Sequence, residues 1–154
     1  MQSKWYRIRE LLRGCTTLVL ATTDERLIAH STPLFFVMDD AALIYWFSSR
    51  RSLHSRHLAA NPAASLAAFQ PTDSWNEIRG VQMRGMVSMV TDYDRRQAVA
   101  RRYCERFALA GLFAATIRRS ALYCFTPSWT RLIDNSVRFG YKFEVDLARA
   151  KPEG

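Results

Sequence analysis

Apolar positions in the first dozen residues fall three and four apart, so that Trp5, Ile8, Leu11 and Leu12 share one face of a helix predicted over 3–13, with Gly14 as its stop. At Cys15 the period shortens. Thr16 to Thr22 is β-branched and apolar, which predicts a strand, and Thr23-Asp-Glu-Arg26 reads as a hairpin connection. A second strand is predicted from about Leu27 to Met38 with Pro33 inside it. Proline donates nothing to a ladder, so this strand is expected at an edge, bulged or locally open.

Asp39-Asp40 forms the next turn and Ala42 to Phe47 the third strand, after which residues 52–61 read as a short helix closed by Asn61-Pro62. Ala63 to Gln70 is the fourth strand, 71–76 a loop, and Glu77 to Thr91 a long fifth strand in which Gly80 and Gly85 mark bends or close backbone approaches. Asp94 and Gln97 have capping-box spacing, and Ala98, Val99, Tyr103, Phe107 and Ala110 continue at helical intervals. A helical segment is therefore predicted over about 94–119, broken near Gly111. Leu122 to Phe125 and Thr130 to Ile133 read as short strands, Asp134-Asn-Ser136 as a turn, and Phe139 to Val145 as the last strand.

With strands over about 15–91 and 121–146, this order predicts a mainly β, α+β fold, a small antiparallel barrel with helices over its openings. The 154 residues are 49% hydrophobic and hold no linker or repeat, so 1–154 is expected to be one domain. Trp5 and Trp46 are expected in the core, and Trp75 in a loop as a ligand lid or subunit contact.

Charge changes the picture in one direction. The net +8 comes from 19 arginines, with only Lys4, Lys142 and Lys151 besides, and it implies attraction to anions without choosing among nucleic acid, acidic membranes and phosphate-bearing ligands. Arg95, Arg96, Arg101, Arg102 and Arg106 make a basic helix face, read as solvated surface or as a nucleic-acid contact. Cys15, Cys104 and Cys124 are odd in number and widely separated, which suits core thiols of a reducing compartment. The basic N-terminus is unlike a signal peptide and no run approaches the roughly 20 apolar residues of a spanning helix, so a cytoplasmic protein without membrane association is expected. His30, His54 and His57 lack a partner carboxylate spacing and predict no metal site. His54 is expected to face solvent.

The run from Tyr45 to Pro62 carries the chemistry: an apolar strand breaks into Ser48-Ser-Arg-Arg-Ser52 where a helix begins. Unpaired backbone N–H groups at a helix N-terminus, hydroxyls and an Arg fork suit a phosphate, although a solvated basic turn would look the same. Together with Arg79-Gly-Val-Gln-Met-Arg-Gly85 and Asp134-Asn-Ser-Val-Arg-Phe-Gly-Tyr-Lys142, in that order over roughly residues 5 to 145, this segment resembles the FMN-binding split barrels of the pyridoxamine 5′-phosphate oxidase-like superfamily, and among them the small bacterial YhbP-like proteins.

The resemblance implies an antiparallel split β-barrel with flanking helices, forming a homodimer with two FMN groups in grooves between subunits. By position, Ser48, Ser49, Ser55 and Arg56 would hold the FMN phosphate with His57 beside them. The backbone around Ser31, Thr32, Pro33 and Leu34 would face the isoalloxazine, Gln82 would lie alongside it, and Trp129, Asn135 and Lys142 would close the site from one chain or the other. The implied activity is a flavin-dependent oxidoreductase acting on a small-molecule substrate, with a nicotinamide cofactor or oxygen as electron partner. Pyridoxamine phosphate oxidase activity itself is not expected, because Ser31 to Phe36 lacks the Arg or Lys common in the oxidases' second strand. Lys142 would hold a substrate anion or the reduced ring's charge, or else be the exposed face of a strand. Asn135 would cap a turn or bind a ligand carbonyl. The deazaflavin F420 or haem could fill the same barrel, and a flavin binder without turnover would have the same sequence. A basic nucleic-acid-binding module is the reading of another class, against which the arginines scatter over every segment.

Overall fold

The computed structural model describes residues 2–108 and 112–147. Helix α1 (Gln2–Arg13) buries Ile8, Leu11 and Leu12, and ends where the Gly14 and Cys15 N–H groups bond back to the carbonyls of Leu11 and Leu12. Strands β1 (Thr17–Thr23) and β2 (Ala29–Phe35) form the expected hairpin. Its turn is built by Asp24, whose carboxylate accepts the N–H groups of Arg26 and Ile28 at 2.9 and 2.8 Å, and it places Leu27 at φ 62°.

The predicted strand from Leu27 to Met38 is divided at Phe36. Up to Phe35 it pairs with β1, and beyond it β3 (Val37–Met38) pairs with β4 (Ile44–Ser48). Helix α2 (Leu53–Ala60), β5 (Ala63–Phe69), β6 (Arg79–Met89), α3 (Tyr93–Arg106), α4 (Leu112–Arg119), β7 (Ala121–Asp134) and β8 (Lys142–Asp146) follow. The sheet runs β2-β1-β5-β6-β7-β4-β3 with β8 added on β7. Its two ends, β2 and β3, are separated in the chain by Phe36 alone, so the sheet must curl back on itself, with the buried Phe36 at the corner. Pro33 lies on the edge strand β2, as its missing N–H requires.

The two short strands predicted around Pro127 are one 14-residue strand. Pro127 is accommodated because the β6–β7 register shifts between Arg84 and Gly85, leaving Ser128 as the extra residue of a bulge. Gly85 is required there, since a Cβ would run into the Thr126 carbonyl and the Phe125 ring. The bulge also divides the free edge of β7: residues 121–125 pair with β4 and 129–133 with β8. Helix α3 is capped by Asp92, not Asp94. The Val90 N–H is the last to reach β7, so the helix begins directly after Asp92, whose Oδ1 accepts the Arg95 N–H at 2.7 Å. The predicted break at Gly111 lies outside the described residues.

Burial forms two layers. Inside the curl, Ile8, Leu12, Leu20, Phe36, Trp46, Met83, Phe125 and Leu132 make the barrel core. On the other face of β4 and β7, Tyr45, Leu122 and Cys124 pack against Val99, Tyr103 and Ile117 of α3 and α4. The basic face of α3 is solvent-exposed at Arg95, Arg101, Arg102 and Arg106, as the solvated-surface reading expects, but four of its arginines also tie the helix to its surroundings. Arg95 donates to the Tyr45 hydroxyl at 2.6 Å, Arg96 to the Ser120 carbonyl at 2.6 Å, Arg102 to the Met38 carbonyl at 2.7 Å and Arg106 to the Cys15 carbonyl at 2.6 Å. Cys15 and Cys124 are buried thiols, their pKa values pushed up by burial despite nearby Arg106 and Arg95. No described helix is long and apolar enough to cross a membrane.

Candidate functional site

Strand alternation turns one set of residues outward for each set buried in the curl. Thr32, Leu20, Leu66, Met83 and Thr130 form an inner row across β2, β1, β5, β6 and β7. On the outer face, one flanking row is Ser31, Ala21, Ser65, Arg84 and Trp129, and the other is Pro33, Val19, Ala67, Gln82 and Arg131. The middle of both rows is small, and the ends are large. A groove of about 580 Å³ results, floored by Val19, Ala21, Ser65 and Ala67.

One wall of the groove is a stacked assembly. The Trp129 ring centre lies 4.2 Å from the Arg84 guanidinium and 5.1 Å from that of Arg131. Arg131 in turn donates twice to Glu144 Oε1, at 2.5 and 2.9 Å, and Trp129 Nε1 donates to Glu144 Oε2 at 3.3 Å. These donors, with Lys142 nearby, hold the Glu144 carboxyl below its usual pKa. Gln82 is exposed on the floor's edge without a competing partner among the described contacts. It also lines a second, adjoining cavity of about 520 Å³ with Phe69, Ile78, Gly80 and Ile133. Lys142 pairs with Ile133 one strand beyond, so it stands exposed on this same outer face.

Of the residues singled out from the sequence, the groove brings together Ser31, Gln82 and Trp129, with Pro33 in the adjacent row. Thr32 and Leu34 alternate to the inner side of β2. Asn135 is elsewhere: its Nδ2 donates to the Trp75 carbonyl at 2.8 Å and its Oδ1 accepts the Gly140 N–H, which joins the β7–β8 turn to the loop before β6. Trp75 is exposed and meets Phe139 edge to face.

The Ser48–His57 segment is organised around histidine. Helix α2 follows β4 and packs on β1 and β2, so it carries the chain from the end of β4 to the β2 end of the sheet. This turns His54 inward, 7% exposed, and corrects the expectation that it faces solvent. Its Nε2 lies 2.7 Å from Ser48 Oγ and 3.1 Å from Ser52 Oγ, while the Ser52 hydroxyl is 2.8 Å from that of buried Ser55. His57 Nδ1 lies 3.1 Å from Thr22 Oγ1, and its ring meets the edge of His30 at 5.9 Å. Burial lowers the His54 pKa, and His30 and His57 lower it further, which favours the neutral ring. Ser49 accepts the Arg51 N–H, and Arg56 is exposed beside Asp24, Glu25 and Arg26 in a cleft of about 300 Å³.

Sequence reasoning passed over Arg84, Arg131 and Ser65. The signal was present for the first two: Arg84 lies two residues from Gln82 and Arg131 two from Trp129, so in strands each pair must share a face. The meeting of His30 with His57 depends on where α2 docks, which no local pattern carries.

The sequence model described as pyridoxamine 5′-phosphate oxidase matches residues 6–134. A UPF0306 protein of Yersinia pestis is 26% identical over 119 residues, 77% of this chain and 76% of its own length. Among solved structures, the haem storage protein HutZ from Vibrio cholerae superposes with a TM-score of 0.68 at 22% identity, over 79% of this chain and 88% of that one. A haem-binding protein from Mycobacterium smegmatis gives a TM-score of 0.75 at 16% identity, over 92% of this chain and 57% of that one. At these identities the structural likenesses show the fold.

Proposed function

Because this chain belongs to the pyridoxamine 5′-phosphate oxidase family, we propose that it binds FMN in the outer-face groove and acts as a flavin-dependent oxidoreductase on a small-molecule substrate. The observation that carries this reading is the groove itself: a floor of small side chains broad enough for a planar ring, bounded by a carboxamide, an indole and two guanidinium groups. Residues and ligand fit in kind. Val19, Ala21 and Ala67 leave a flat apolar bed, while Ser31, Gln82, Arg84 and Arg131 offer donors at its edges for ring heteroatoms. The phosphate would go to the Ser48–Arg56 segment, where Arg56 supplies an uncommitted guanidinium.

When bound, the flavin supplies the electron transfer, and the chain's residues bind it, orient it and exclude water. Lys142, exposed on the same outer face, suits a substrate anion. A second copy of the chain would cover the groove, and a nicotinamide cofactor or oxygen would serve as electron partner. Pyridoxamine phosphate oxidation is not part of this proposal, since β2 brings no cationic side chain to the groove. The nucleic-acid reading is weakened by the commitment of the α3 arginines to hydroxyl and carbonyl oxygens.

Haem is the second reading, favoured by the two solved neighbours whose names describe haem binding or storage. F420 and a non-catalytic flavin complex would use the same groove. Titration of the purified chain with FMN and then with haem, followed by flavin fluorescence and the visible spectrum, separates them. Saturable quenching of FMN that weakens at least ten-fold in Gln82→Ala is expected. FMN left unbound, with haem giving a shifted Soret band, would replace flavin by haem.

A further inference from the structure

A second constellation lies away from the groove and shares no residue with it. Arg50, Arg96, Arg118 and Arg119 line a concavity of about 390 Å³ where the β4–α2 loop, the end of β6 and the C-terminus of α4 meet. No acidic side chain lines it. The ion pairs among the described residues use Arg7, Arg9, Arg13, Arg79 and Arg131, so none of these four pairs with a carboxylate among the described residues.

Arg96 has a structural task. Its Nη2 donates to the carbonyls of Ile117, Arg118 and Ser120 at 3.3, 2.9 and 2.6 Å, and its guanidinium lies 5.4 Å from the Phe47 ring centre. The carbonyls at the end of α4 are thereby satisfied without Arg118 or Arg119, whose side chains stay exposed, as does Arg50. Three uncommitted guanidinium groups around one concavity repel one another, and a concave wall strengthens the positive field within it.

The geometry points to a binding site here for a small anion bearing two adjacent phosphates, such as the diphosphate of a nucleotide. A phosphomonoester presents three terminal oxygens, which two bidentate guanidinium forks already satisfy. Three forks plus the fixed charge of Arg96 match the larger oxygen set of a diphosphate, and the volume leaves room for part of an attached group.

The test uses the full chain and inorganic pyrophosphate at about physiological salt, where exposed single charges are screened beyond roughly 8 Å. Calorimetry is run on the wild type, on the double variant Arg118→Gln/Arg119→Gln and on Arg50→Gln. All three positions are exposed, so folding is expected to hold and is checked by melting temperature. One pyrophosphate per chain is expected, with orthophosphate at least ten-fold weaker and the double variant losing at least ten-fold in pyrophosphate affinity. FMN titration of the Arg118→Gln/Arg119→Gln variant, which leaves the Ser48–Arg56 segment intact, should be unchanged, and the pyrophosphate result stands whether or not FMN binds. The proposal is overturned if pyrophosphate fails to saturate, if the variants bind it as the wild type does, or if FMN affinity falls in step with it in the Arg118→Gln/Arg119→Gln variant.

Discussion

Asp134 shows what one residue does that its neighbours in sequence cannot reveal. It is 2% exposed, yet Arg7 donates to its Oδ2 at 3.0 Å, Arg79 lies 3.4 Å from Oδ1, and Ser136 donates to Oδ1 from both backbone and hydroxyl. Burial pushes its pKa up, but the Ser136 hydrogen bonds, Arg79 and Arg7 outweigh that and hold it below the ordinary carboxylate value. A depressed carboxylate stabilises the fold above its unfolded pKa, and that contribution is lost as pH falls through the folded one. Asp134→Asn should therefore lower stability at pH 7 and flatten the acid limb below about pH 4. Both guanidinium partners are part-exposed, so the loss should fall short of the roughly 3–5 kcal/mol of a fully buried pair. Parallel thermal melts from pH 7 to 3 check it, and a variant curve running parallel to wild type would remove the assignment. The turn at Asp134-Asn-Ser136 was legible, because Asx side chains bonding nearby backbone are a local effect. The ion pair was not, since Arg7 is 127 residues away.

Elements were legible where period and punctuation agreed, as in α1, the β1–β2 hairpin and α2. They were misread where tertiary contacts decided: β7 runs through Pro127 because Gly85 on its neighbour absorbs a bulge, and α3 starts early because β6 leaves the sheet at Val90. The inward face of α2 is the case with a functional consequence, for it buries His54 among Ser48, Ser52 and Ser55 with no carboxylate in the network. A histidine held neutral by burial contributes fully above its unfolded pKa of about 6.5, and the contribution declines as pH falls and the unfolded chain takes up the proton. The groups facing it are His30 from β2 and His57 from α2, with Arg56, Asp24, Glu25 and Arg26 around the outer cleft. The melting temperature is expected to fall between pH 7.5 and 5 more steeply in wild type than in His54→Gln, which retains hydrogen bonding without the proton. Equal slopes would place the pH sensitivity elsewhere.

At the scale of the molecule, helices cover one side of the curled sheet and leave the other bare. α3 and α4 lie on β4 and β7, and α2 packs on β1 and β2, where His57 meets Thr22 and His30. Except at Phe35, whose ring meets Phe107 at the end of α3, the outer face of β2, β1, β5 and β6 has no helix on it among the described residues, and Phe69, Trp75, Ile78 and Phe139 are exposed at that face and along its border. Scattered exposed apolar side chains are ordinary, but a group of aromatics beside a groove and a cavity that share Gln82 suggests a surface covered in the working protein. If a second copy covers it, as the proposed flavin site requires, dimerisation and flavin affinity must be linked, because the partner would complete the groove walls and exclude water from the ring. Phe69, 57% exposed, should then be replaceable by Glu without unfolding the chain. Light scattering after gel filtration should show the wild type as a dimer and Phe69→Glu as a monomer at the same micromolar concentration. FMN affinity should drop at least ten-fold in the variant although Phe69 does not line the groove. A monomeric variant that binds FMN as tightly as wild type would show that one chain completes the flavin site. A wild type that is itself monomeric, with or without FMN, would leave this face to a different partner.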